Sequence, residues 1–281
     1  MEELVRQKAR ELLSTRQVEC VIGWERASDG LTSRPFFAYT PEEADRLIYD
    51  QTCVNSLAKF LVDKRNKNTA IVAKPCDTRA INLLLLEKQI KRERVYIIGV
   101  TCAGMREVSF GYMGEKPQAK CLVCPQHNPV VYDFLAGEPV AEEAIRSYGD
   151  LAEIDAKTHQ EREAFWQEHF NRCIRCYACR QSCPGCYCQQ CFVDQLDPHW
   201  VGIKIAPQEN HQWNTVRAFH LMGRCIECGE CQRVCPVKIP MMLLNRHLLR
   251  EVESKFSFQP GLSPETPPPL ATFKPDEDLG I

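Results

Sequence analysis

The chain lacks a dominant charge. Its 35 basic and 37 acidic residues leave a formal net charge of −2. That excludes a bulk electrostatic case for binding nucleic acid or a membrane surface. It also lacks a long apolar run. The longest lies near Leu83–Leu86, far short of the roughly 20 residues a spanning helix needs. The N-terminus is charged and helix-like, with no basic segment leading into an apolar one, so a signal peptide is not expected. These two absences point to a cytoplasmic protein. No Gly-x-Gly-x-x-Gly or Walker loop occurs, so no nucleotide site follows from motif. No nucleophile triad or paired-carboxylate motif stands out either, and no catalytic residue is assigned. What remains is ordinary in bulk, with 281 residues, 44% hydrophobic and 26% charged. That is length for about two domains, each able to bury a core.

The abundance lies in 17 cysteines. In a reducing compartment, cysteines at close repeated spacing read as metal ligands rather than disulfides. Cys20 and Cys53 stand alone, and Cys76, Cys102, Cys121 and Cys124 form a loose middle group. Seven fall between Cys173 and Cys191, four between Cys225 and Cys235, and none follow. This splits the chain near residue 160. We expect an α/β domain over 1–155 and a mostly helical dicluster ferredoxin-like domain over 156–258. A Pro-rich tail over 259–281 is expected to be disordered or laid on a partner.

The first part reads as α/β. Gln17–Gly23 and Ala70–Ala73 are short β-like runs, and Val95–Val100 is the clearest strand. Leu57, Phe60 and Leu61 fall at helical spacing after a cap at Asn55. A helix over Thr78–Ile90, capped by Asp77, links the strands at 70–73 and 95–100 into a βαβ unit, which implies a parallel pair. In the second part, residues 211–222 read as a helix with Trp213, Val216 and Phe219 as core positions. After Pro240, the residues Met241, Leu244, Leu248 and Val252 keep one helical face.

Two segments share one pattern. Cys173-x2-Cys176-x2-Cys179-x3-Cys183-Pro184 is the first, and Cys225-x2-Cys228-x2-Cys231-x3-Cys235-Pro236 the second. This is the spacing of two-cluster ferredoxins, in which the fourth cysteine ligates the other cube. Three cysteines in one tight loop put three thiolates on one face of a 4Fe-4S cube. We therefore assign Cys173, Cys176, Cys179 and Cys235 to one cluster, and Cys225, Cys228, Cys231 and Cys183 to the second. Structural zinc uses two separate Cys-x2-4-Cys knuckles, which this pattern does not form. Arg172, Arg175, Arg180, Arg224, Arg233 and Lys238 surround these ligands. Such cations would favour the reduced cluster or dock an acidic partner.

A third cluster is a weaker expectation. Cys76 and Cys102 would follow two parallel strands at their C-terminal edge, where open α/β sheets bind ligands. Cys121-x2-Cys124 comes from the next loop and would complete four ligands. The bland alternative is that Cys76 and Cys102 are small buried residues. Cys186, Cys188 and Cys191 are left over. They could lend a ligand elsewhere or bind a metal with Cys20 or Cys53, but packing or a redox-sensitive thiol is the simpler reading. His127, His199, His211 and His220 share no ligand spacing.

At Ala73-Lys-Pro-Cys-Asp-Thr-Arg-Ala80 and Ile97-Ile-Gly-Val-Thr-Cys-Ala-Gly-Met105 the chain resembles beta subunits of hydrogenases and formate dehydrogenases that use the deazaflavin coenzyme F420. The stretch Cys176–Cys188 is similar to the dicluster subunits of sulfhydrogenases and anaerobic sulfite reductases. The resemblance covers roughly residues 50–255. It implies an iron–sulfur electron-transfer subunit of an anaerobic oxidoreductase complex, with hydrogenase, formate dehydrogenase or heterodisulfide-reductase-like partners. It also brings a rival, in which FAD in the α/β domain reduces a deazaflavin or similar carrier. No flavin-binding residue can be matched. A zinc-stabilised interaction module is the remote third reading.

Overall fold

A computed structural model describes residues 1–142, 146–266 and 268–269. Its first part is built on a five-stranded sheet in the order β2-β1-β3-β4-β7, formed by β1 (Cys20–Arg26), β2 (Ser33–Ala38), β3 (Thr69–Ala73), β4 (Val95–Val100) and β7 (Phe134–Ala136). Only β1 and β2 pair antiparallel. The β1–β3, β3–β4 and β4–β7 pairs are parallel. Every residue of β3 is buried, and all of β1 except Arg26, the continuous burial expected where a parallel sheet is covered on both faces. α1 (Glu2–Ser14) contacts β1, β3 and β7, and α3 (Pro75–Leu86) contacts β3 and β4. The expected βαβ unit is therefore β3–α3–β4.

The local boundaries differ from the expectation in instructive ways. α3 starts at Pro75, not Thr78. Lys74 is its cap, and Asp77, three positions in, accepts the Lys74 backbone N–H at 3.2 Å. Proline suits a helix start because its missing N–H has no partner there anyway. Cys76 consequently sits in the first turn of a helix. α2 (Lys59–Asp63) is capped by Ala58 rather than Asn55, whose carbonyl instead accepts from Lys74 Nζ at 2.8 Å. A two-stranded ribbon of β5 (Arg106–Ser109) and β6 (Tyr112–Pro117) leads into α4 (Ala119–Leu122).

The second part carries α5 (Ala152–Asp155), α6 (His159–Asn171), α7 (Ala178–Ser182), α8 (Pro207–His220), α9 (Glu230–Arg233) and α10 (Met241–Phe256). Helix alternates with long loops, and no strand lies beyond residue 136 among the described residues. Trp213 is buried as expected, but Phe219 is 57% exposed. α10 buries Met241, Met242, Asn245, Arg246, Leu249 and Val252. Leu244 and Leu248 are only half-buried, because the helix turns a polar pair inward.

Two cores meet. Phe170, Cys173, Trp213, Cys231, Cys235 and Met241 form one. Ile226 and Cys228 of the second run instead join the core of the sheet. The tail begins on the chain itself. Arg79 of α3 donates to Pro260 O at 2.9 and 3.1 Å, and Asn82 to Gly261 O at 3.0 Å. Residues 270–281, the rest of the expected Pro-rich tail, lie outside the described residues.

Candidate metal centre

The two cysteine runs fold alike. Arg175 and Tyr177 of the first take positive φ, at 47° and 57°, and so do Glu227 and Gly229 of the second, at 60° and 70°. The same two left-handed residues flank the second cysteine in each loop, and each loop then enters a short helix, α7 or α9. Left-handed residues other than glycine persist only where the surroundings hold them. Here they curl the backbone so that successive thiols turn inward. Gly229 is required sterically as well: a Cβ there would lie 2.5 Å from Lys120 Cδ.

Thiols of the two runs act on one another, Cys179 of the first on Cys231 of the second among them. Cys179 feels Cys173, Cys235 and Cys176. Cys225 and Cys231 both feel Cys183, and so does Cys228. Burial pushes Cys231 up to about 11 and Cys225 up to about 12. Thiols so reluctant to ionise become thiolates when a metal takes the proton's place. The sulfurs also accept hydrogen bonds, from Ile239 N–H to Cys235 at 3.4 Å and from Asn245 Nδ2 to Cys231 at 3.6 Å. No group of three or more His, Cys, Asp or Glu among the described residues is gathered tightly enough for a single ion. A cube, with its own core of iron and sulfide, holds its thiolates farther apart than one ion does.

The middle group converges too. β3 and β4 are in register, with Ala73 opposite Gly99. Cys76 and Cys102 each stand three residues beyond that pair, at one sheet edge. Both line a single pocket with Cys121, Cys124, Lys120 and His127, closed by Glu227 and Cys228 of the second run. Gly104 N–H donates to Cys102 Sγ at 3.4 Å and Met105 N–H to Cys121 Sγ at 3.3 Å. Burial raises Cys76, Cys102 and Cys124 above the ordinary thiol range. His127 clamps Cys102: its carbonyl accepts the Cys102 N–H at 2.9 Å while its Nδ1 meets Cys102 O at 2.8 Å. Lys120 then crosses to the second run, donating to Cys228 O at 2.5 Å with Glu230 at 4.0 Å.

The remaining cysteines are scattered. Cys186 shares a hydrogen bond with Cys183, which lowers Cys183 and raises Cys186. Cys188 is exposed, and Cys191 lies beside Arg180. Cys20 and Cys53 are buried in the core of the sheet, away from these three.

The basic ring expected around the ligands is largely spent on carboxylates. Arg180 pairs with Asp194 at 2.7 Å, Arg233 with Glu230 at 2.7 Å, and Arg224 with Glu87 of α3 at 2.6 Å. Arg172 meets His169, and Arg175 donates to the Lys204 carbonyl. Sequence reasoning missed Arg217. Its Nη2 donates to Cys179 O at 3.0 Å, while its Nε and Nη1 have no partner though buried. It also missed Arg246, which with Arg146 and Arg79 grips Glu227 in the second loop. Unpartnered N–H groups facing both thiol sets are what anionic clusters would satisfy, so the donor set and its surroundings fit two cubes.

Comparison with known proteins agrees with this geometry. Residues 169–239 match the 4Fe-4S dicluster domain. The chain resembles F420-dependent formate dehydrogenase beta subunits. It is 25% identical to F420-dependent formate dehydrogenase subunit beta of Methanocaldococcus jannaschii, across 92% of this chain and 91% of that protein. It is 31% identical to F420-dependent formate dehydrogenase 1 subunit beta of Methanococcus maripaludis, over 40% of this chain and 28% of that one. No helix among the described residues is long and apolar enough to cross a membrane.

Proposed function

We propose that the chain is the iron–sulfur electron-transfer subunit of an oxidoreductase complex of the kind its relatives' names describe, a deazaflavin-linked formate dehydrogenase. The observation that carries this reading is the similarity to such a beta subunit along 92% of the chain, together with the 4Fe-4S dicluster match over residues 169–239. Residues 1–155 would carry a third cluster, residues 156–258 the dicluster unit with helices as its frame, and the tail from 259 a strap onto α3.

Cys173, Cys176, Cys179 and Cys235 would hold one cube, and Cys225, Cys228, Cys231 and Cys183 the other. Cys76, Cys102, Cys121 and Cys124 would hold the third. Bound there, such cubes supply reversible one-electron storage. The protein's part is to ligate them, bury them and set their potentials. Ile239, Gly104 and Met105 aim N–H groups at ligand sulfurs, which stabilises added negative charge. Lys120 spans the third site and the second run, so the three sites form a line through both parts of the chain. Hydrogenase and heterodisulfide-reductase-like complexes remain alternative settings for the same wire.

The test is stepwise anaerobic reduction of the purified chain. Reversible uptake of about one electron per cube, with cluster signals appearing in electron paramagnetic resonance, is expected. Release of FAD on denaturation would favour the rival flavin enzyme. A colourless zinc protein would overturn the proposal.

A further inference from the structure

We propose that Arg217 sets the reduction potentials of both dicluster clusters together, as one buried positive charge shared between them. The inference rests on the dicluster reading above and adds to it a residue that no ligand motif contains.

Arg217 lies in the middle of α8 and is 2% exposed. The groups that act on it most strongly, after burial, are Cys183, Cys231, Cys186 and Cys179. Cys179 belongs to the first proposed ligand set and Cys183 and Cys231 to the second. The side chain makes one hydrogen bond, to the carbonyl of Cys179, and leaves Nε and Nη1 unpartnered. Among the described residues no carboxylate lies within ion-pair distance of it, whereas Arg180, Arg224 and Arg233 each have one. Lys120, another cation near the candidate ligands, has Glu230 at 4.0 Å.

A guanidinium stays protonated in proteins, so this charge is fixed. Burying it without a counter-charge is costly. A negative group facing it removes that cost, and two thiolate-ligated cubes are such groups. Each one-electron reduction adds a further negative charge. A cation between the two cubes favours reduction of both, raising their potentials together.

The experiment is a potentiometric titration of the anaerobically purified full chain, followed by electron paramagnetic resonance, with iron measured on each sample. The variants are Arg217→Gln, Arg217→Met and Arg217→Lys. In the two neutral variants both midpoints should fall. The reduced-to-oxidised ratio at fixed potential should drop about tenfold, or ~59 mV for a one-electron couple. Arg217→Lys should keep both midpoints near those of the parent. Unchanged iron with unmoved midpoints, or a fall in one cluster alone, would overturn the role. If neither neutral variant holds its iron, Arg217→Lys decides: midpoints that stay near the parent's, or shift slightly and together, would support it, and midpoints moving in opposite directions or one moving alone would overturn it. A parent protein without two reducible clusters would remove the dicluster reading itself, which is a different failure.

Discussion

At the scale of single residues, the third site depends on a few contacts whose loss can be read separately. Cys102→Ala removes one thiol but keeps the backbone exchange with His127, whose carbonyl holds the Cys102 N–H at 2.9 Å. The fold should survive and iron should fall by about four per chain, since one cube carries four irons. Unchanged iron would show that Cys102 is no ligand. The candidate ligands of the two runs stand out in sequence because their spacing is local: one loop would close around one cube. Arg217, His127 and Asn245 do not. Arg217 reaches Cys179 O from 38 residues away. In sequence it reads as one more polar position on a helix, and only the packing of α8 against both loops gives it a role. Three of the six basic residues that spacing did bring forward, Arg180, Arg224 and Arg233, have carboxylates of their own, one of them Glu87 from the other part of the chain.

At the scale of elements, the strands were legible and the helix faces less so. Val95–Val100 reads as β because four of its six residues are β-branched and Tyr96 is aromatic, and it forms β4 with those limits. α10 was misread because an apolar-face rule cannot see a buried Asn or Arg. Asn245 turns inward to a ligand sulfur, and Arg246 to Asp150 at 2.8 Å and to Glu227. Arg246→Met should therefore destabilise the chain by about 1.5–3 kcal/mol, since it removes charge-assisted bonds to Asp150 and Glu227 while Arg146 and Arg79 keep Glu227 paired; chemical denaturation of the anaerobic protein would measure it. The strap at the start of the tail makes a second prediction. Gly261 has φ +76°, and a Cβ there would lie 2.3 Å from the carbonyl oxygen of Arg79. Gly261→Ala should cost about 1–3 kcal/mol in strap docking. Limited proteolysis should then cut near residue 260 faster than in the parent, with iron unchanged. Equal cleavage rates would contradict the strap. Proline content alone could not have shown this, because it reports what the tail cannot be and not what it lies on.

Across the whole molecule, the α/β part and the dicluster part meet around the middle cysteines and the second cysteine run. Cys228 packs in the core of the sheet. Glu227 and Cys228 close the pocket of the middle cysteines, and Lys120 reaches from that pocket to Cys228 O. Arg224 binds Glu87 through two 2.6 Å bonds. The cysteine distribution suggests a division near residue 160, but it gives no sign of how the two parts interlock, because the interlocking rests on side chains that meet from distant stretches of chain. A cluster at the proposed third site would, through that interlocking, stand beside the second run rather than in a separate module. The measurement that tests this most directly is iron and acid-labile sulfide per chain on anaerobically purified protein. The account predicts about twelve of each, for three cubes. About eight would contradict the line through both parts by leaving the middle cysteines empty, and zinc in place of iron would contradict the account as a whole.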